Sequence, residues 1–102
     1  MDAAFAHMVL QYLSSPAEAI GEMARVTKRG GAVVVVDFTK HERAWMREEL
    51  GVVWMGFAPA EIARWLEAAG LRDVRVEAQA PAARGADLPA TFIASGVKAR
   101  ND

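Results

Sequence analysis

Cysteine is absent from the 102 residues. That excludes disulfides and thiolate metal sites and fits a reducing compartment, so the expected location is the cytoplasm. Histidine occurs only twice, as His7 and His41, and no spacing around that pair builds a metal ligand set. Neither charge is in excess, since Lys and Arg total 12 against 13 Asp and Glu, for a formal net charge of −1. A chain so balanced has no general pull toward phosphate backbones or anionic lipid, which argues against nucleic-acid binding. The longest strongly apolar run, Ala32 to Val36, has five residues, where a membrane span needs about 20. No basic stretch followed by an apolar segment opens the chain, so no secretory signal is expected.

What is present is a globular composition, 53% hydrophobic and 25% charged with only four prolines. A chain of this length has room for one domain, which would bury roughly two-thirds of the surface exposed by its unfolded form. Ala3 to Val9 reads as a short strand with almost no lead-in. "SSPAEAIGEMARVTKRGG" follows, with Ser15 as N-cap, Pro16 at the first helical position and Glu18 as the reciprocal member of a capping box. Ile20, Met23, Ala24 and Thr27 form one stripe at helical spacing, Lys28 and Arg29 suit the negative end of the helix dipole, and Gly30 or Gly31 can close the helix.

Ala32 to Asp37 shows no polar alternation, the pattern of a central parallel strand covered on both faces. His41 to Leu50 reads as a helix, and "GVVWMGF" interrupts it. Pro59 opens a further helix with Ile62, Trp65, Leu66 and Ala69 on one face, ended by Gly70. Val74 and Val76 alternate with charges as in a half-buried strand, "QAPAARGADLP" is a loop, and Thr91 to Val97 is a last strand whose Ala94, Ser95 and Gly96 suggest close packing. The order implies an α/β domain with right-handed crossovers and a final antiparallel hairpin.

The stretch "DAAFAHMVLQYLSSPAEAIGEMARVTKRGGAVVVVDF" resembles class I S-adenosylmethionine-dependent methyltransferases from their fourth strand through their fifth. An Asp-led strand, a polar turn, a helix ending in Arg-Val-x-Lys-x-Gly-Gly and a buried strand ending in Asp carry the resemblance, which extends over nearly the whole chain. "DFTKHERAWMREELGVVWMGFAPAEIARWLEAAGL" is similar to a type 11-like branch associated with ArsR-type regulators. Thr27 stands where that family usually has leucine, Arg29 where it commonly has proline, and Val52 where the branch often has histidine. The resemblance implies a partial Rossmann-like sheet with family strands in the order 4-5-7-6. It also implies that the cofactor-binding half, with its Gly-rich loop after the first strand, is missing. The only Gly-Gly pair here precedes a strand, where it closes a helix and is not a cofactor cradle.

Ligands of open parallel sheets bind beyond the carboxyl ends of strands, which brings forward His7 to Gln11 and Asp37 to His41. By resemblance, His7 and Met8 are the candidate cofactor contacts, and Gln11, Phe38 and Trp54 the candidate substrate pocket. Two of these have a plainer reading, His7 bonded to backbone and Met8 in the core, while Trp54, between glycines, could be a pocket lid and Trp45 and Trp65 read as packing. Asp37 could accept a proton or hold a positive centre, or it could bond backbone N–H groups at the start of the next helix. His41 could be a general base or an exposed helix-start histidine. No nucleophile elbow surrounds Ser14, Ser15 or Ser95. The expected function is methyl transfer from S-adenosylmethionine to a small-molecule acceptor in the complete enzyme, with the 102 residues inactive alone. The alternative is a non-catalytic module that pairs through its first strand, as a homodimer or with a separately encoded half.

Overall fold

The computed structural model describes residues 2–41, 44–79 and 90–99. Strands β1 (Ala3–His7), β2 (Ala32–Phe38), β3 (Leu71–Gln79) and β4 (Thr91–Lys98) form one sheet in the order β1-β2-β4-β3. The first pair is parallel and the other two are antiparallel. This is the order the family resemblance implies, with β1 as its fourth strand and β3 and β4 as the closing hairpin. Helices α1 (Pro16–Val26), α2 (Ala44–Leu50) and α3 (Pro59–Ala68) and a 3-10 turn (Leu10–Tyr12) complete the described elements. None of these helices is long and apolar enough to cross a membrane.

The expected stripe on α1 is the buried one: Ile20, Ala24 and Thr27 are each at most 4% exposed. Its termini differ from expectation. Ser15 stands at the N-cap but its side chain makes no capping bond, so Pro16 with its preset φ opens the helix without the capping box. The helix also stops at Val26, ahead of the glycines. Thr27 turns to extended backbone, and its hydroxyl donates to the Met23 carbonyl at 2.7 Å, satisfying one of the acceptors the helix end leaves open. Lys28 and Arg29 therefore lie beyond the helix. The cation at its end is Lys98 of β4, whose ammonium donates to the carbonyls of Thr27 at 2.8 Å and Arg25 at 3.3 Å. Gly30, at φ 85°, and Gly31 turn the chain into β2, and a Cβ on Gly31 would sit 2.3 Å from the Asp2 carbonyl oxygen. The pair is thus a close-approach turn at the amino end of β2.

β2 is central, but it is not covered on both faces. Val33 and Val35 are fully buried against Ile20, Ile62 and Leu66 of α1 and α3. Val34 and Val36 point to the opposite face, where register places Phe5 beside Val34 and Ile93 beside Val36. On that face Phe5 is 65% exposed and Ile93 43%. Among the described residues the one helix that reaches it is α2, whose Met46 and Trp45 pack with Phe38 at the carboxyl end of β2, and nothing pairs with the outer edge of β1. The unbroken valine run gives no periodicity from which to tell one covered face from two.

β1 ends two residues earlier than expected because Met8 adopts φ 57°, which breaks the extended backbone after His7. At the other edge, β3 carries an irregularity between Arg72 and Arg75, where Asp73 also has a positive φ of 52°. The small residues of β4 pack as expected: a Cβ on Gly96 would meet Leu71 at 2.9 Å. Of the helix expected over His41 to Leu50, His41 is not helical, since its N–H donates to the Met55 carbonyl at 3.0 Å, residues 42 and 43 lie outside the described residues, and the rest is α2. The expected loop over 79–89 likewise falls outside them, except for Gln79, which closes β3.

Candidate functional site

Two clusters form where β1 and β2 end. The first is built around Asp37, which is fully buried. Its Oδ1 accepts the Phe38 N–H at 2.8 Å and its Oδ2 the Gln11 N–H at 3.3 Å, with the Leu10 N–H also contributing. Burial pushes the carboxyl pKa up, and these backbone donors, together with the nearby His7, pull only partly against it. The arrangement ties the turn after β1 to the end of β2. Asp37 bonds backbone N–H groups, as one of the sequence readings had it, but they belong to the preceding 3-10 turn and to its own neighbour, not to the next helix.

Gln11 is the second member of that cluster. It is 3% exposed, its Nε2 lies 3.4 Å from the Met8 carbonyl, and its own carbonyl accepts the N–H groups of Val53 and Trp54 at 2.7 and 3.0 Å. Three segments, those after β1, after β2 and after α2, therefore converge on one turn. Met8 packs its side chain against Phe38, Met46 and Val52. The left-handed φ it holds costs of the order of 1–3 kcal/mol and persists because the surrounding bonds fix it. His7 is exposed and stacks on Phe5, ring centroids 6.4 Å apart, on the uncovered face of the sheet.

The second cluster surrounds a cavity of about 610 Å³ lined by Lys40, His41, Arg47, Trp54, Met55 and Glu61, among others. Its floor is a short extension of the sheet beyond β2. Thr39 pairs with Phe57, Lys40 N–H donates to the Phe57 carbonyl at 3.1 Å, and His41 N–H donates to the Met55 carbonyl at 3.0 Å. Gly56 makes this approach feasible: it has φ 78°, and a Cβ there would lie 2.0 Å from the Thr39 carbonyl oxygen. His41 is 7% exposed with its ring edge-on to Phe38. Trp54 is a fixed wall, since its indole N–H donates to the Leu13 carbonyl at 2.9 Å and its ring packs on Phe57 and Trp65. The sequence reading of Trp54 as a lid gives way to this anchoring.

The structure thus gathers His41 and Trp54 in one cavity, and Asp37, Gln11 and Met8 in one buried turn. Phe38 stands between the two groups, touching Met8 on one side and His41 on the other. Lys40, Arg47, Met55 and Glu61 were not singled out from the sequence. Lys40 adjoins the quoted "DFTKHE", but Arg47 and Glu61 come from two different helices, so only packing brings them to one wall.

The parallel β1-α1-β2 unit, the order β1-β2-β4-β3 and the helix layer on one face can be set against known proteins. Residues 1–35 match the family model of the methyltransferase domain. No curated protein matches the sequence significantly. Among solved structures, a chain from the complex between the Haloferax volcanii Trm112 methyltransferase activator and its methyltransferase superposes with a TM-score of 0.75 at 20% identity, covering 100% of this chain and 55% of that one. A Thermotoga maritima SAM-dependent methyltransferase gives 0.70 at 19%, covering 95% and 55%. Phosphoethanolamine N-methyltransferase 2 of Haemonchus contortus, bound to phosphomonomethylethanolamine and S-adenosylhomocysteine, gives 0.76 at 12%, covering 97% and 34%. The fold is shared with part of these methyltransferases. The chain spans about half or less of the length of these methyltransferases.

Whether a chain of this fold could hold S-adenosylmethionine is a question of fit. A cradle for the cofactor needs open backbone N–H groups after a strand, and the glycine pair here is closed against Asp2 at the opposite end of β2. What the described residues offer at the carboxyl ends is the Met8 turn and the exposed His7. They fit one side of a cofactor and do not enclose it.

Proposed function

We propose that these residues form the acceptor-side half of an S-adenosylmethionine-dependent methyltransferase domain, with the cofactor-binding half supplied by another segment. The single observation carrying this reading is the one-sided sheet. The free edge of β1 and the bare apolar face of Phe5, Val34, Val36 and Ile93 adjoin one another, and both are what a further strand and its helices would cover. In the completed domain, methyl transfer goes to a small-molecule acceptor as an in-line displacement from the sulfonium, helped chiefly by alignment. His41 is then the residue placed to take a proton from the acceptor, while Asp37 holds the turn that carries Met8 and Gln11. The absence of cysteine supports a cytoplasmic setting.

Calorimetric titration of the 102 residues with S-adenosylmethionine tests the division of labour. The expected result is no micromolar binding; micromolar affinity would show that this half holds the cofactor unaided and would sink the proposal.

A second reading is favoured by the composition of β1, "AAFAH", which carries neither the lysine nor the proline that commonly guards a free edge. On that reading the chain is a non-catalytic module that pairs through β1 with a second copy. Light scattering showing a monodisperse monomer at tens of micromolar would count decisively against it.

A further inference from the structure

The cavity beside His41 has features that the methyltransferase reading does not require. Its volume, about 610 Å³, lies in the range of small-molecule pockets, roughly 300–1,000 Å³. Two of its lining residues are cations, Lys40 from the end of β2 and Arg47 from α2, and neither has a salt-bridge partner among the described residues. The acidic residue in the wall, Glu61, sits in the first turn of α3, where the positive end of that helix already compensates it. The same ten-residue helix opens onto the cavity at Ala58, an N-cap residue with no side-chain oxygen, whose backbone carbonyl accepts the N–H groups of Glu61 and Ile62. The remaining wall is flat and apolar, with Trp54 locked in place and Met55 beside it.

We propose that this cavity binds a small organic anion, a carboxylate or phosphate ester on a flat apolar body, and that this anion is the methyl acceptor. Lys40 and Arg47 grip the charged group, with Arg47 able to do so through two parallel N–H donors. Trp54 lies against the apolar body, and His41 faces the bound molecule from the floor. The identification with the acceptor rests on the methyltransferase reading, whereas the binding chemistry does not, because Lys40, Arg47 and Trp54 are this chain's own residues.

The test is a titration of the 102-residue chain with benzoate, phenyl phosphate and the uncharged benzamide, followed by the nitrogen–proton NMR shifts of the Trp54 indole and the Gly56 amide. The expected result is saturable shifts with benzoate or phenyl phosphate and binding at least 10-fold weaker for benzamide; the tighter of the two anions identifies carboxylate or phosphate as the handle. Lys40→Gln and Arg47→Gln, both at exposed positions, should each weaken the tighter anion about 5- to 10-fold. Arg25→Gln, an exposed cation remote from the cavity, should change it less than about 2-fold. Equal affinity for benzamide, an equal effect of Arg25→Gln, or no saturable shift would each overturn the proposal. Failure of cofactor binding leaves this result untouched. A completed domain that methylates only uncharged acceptors would overturn the acceptor assignment while the methyltransferase reading stands.

Discussion

Asp37→Asn probes the bond that organises the carboxyl ends of the parallel strands. Both carboxylate oxygens accept backbone N–H groups, from Phe38 at 2.8 Å and Gln11 at 3.3 Å, in a fully buried setting. An amide keeps one acceptor and turns an N–H₂ toward the donor that faced the other, leaving a buried donor without a partner. That costs about 1–3 kcal/mol, read as a lower urea midpoint at pH 7. The pH dependence carries a sharper test. Burial raises the folded-state pKa of Asp37 above its ordinary value of 3.8. Between those two values the folded state holds more protons than the unfolded one, so stability falls as pH rises through that window and is recovered as pH falls toward 3.8. The asparagine variant lacks this recovery, and the difference between the two proteins cancels every other titrating group. The stability gap between wild type and variant should therefore widen on acidification from pH 7 toward pH 4. A gap that narrows would mean that the backbone donors outweigh burial and hold the carboxyl below its ordinary value, refuting the reasoning.

Gly56→Ala places a Cβ 2.0 Å from the Thr39 carbonyl oxygen at φ 78°, so it should cost at least about 2 kcal/mol in chemical denaturation and abolish the NMR shifts expected at the cavity. Gly21→Ala lies within α1 with nothing within 4 Å of the added methyl, and should raise stability by about 0.5–1 kcal/mol, measured as a higher thermal midpoint. Phe5→Lys introduces a charge at a residue 65% exposed on the open edge strand. It should leave the circular dichroism spectrum unchanged, and light scattering should detect less self-association at high concentration.

Much of the fold was legible because the helices announce themselves by periodicity. Ile20 and Ala24, or Ile62 and Leu66, can be buried together only if the chain is helical there, and all four are buried. Their ends were less legible. A capping box at Ser15 and a helix stop at Gly30-Gly31 satisfy local rules, yet Thr27 ends α1 with its own hydroxyl and Lys98 reaches the Thr27 carbonyl from 71 residues away. Long-range partners outcompeted local ones, and the local sequence holds no trace of them.

The site divides in the same manner. His41 and Trp54 were candidates from their place after β2 and between glycines, and both line the cavity. Arg47 and Glu61 resemble ordinary surface charges of amphipathic helices, and nothing in their spacing distinguishes them from Glu49 or Arg64. Trp54 could be named as a pocket residue from sequence, but its immobility depends on the Leu13 carbonyl, 41 residues away.

By itself the sequence determined the element order, the buried helix stripes and the central position of the valine strand. Each follows from local periodicity or from the steric freedom of one residue type. Tertiary structure alone decided which face of β2 is covered, what holds Asp37, and that two cations from different elements meet around one cavity. Those outcomes depend on where separate elements come to rest against one another, and a pattern read along the chain does not encode distances across it.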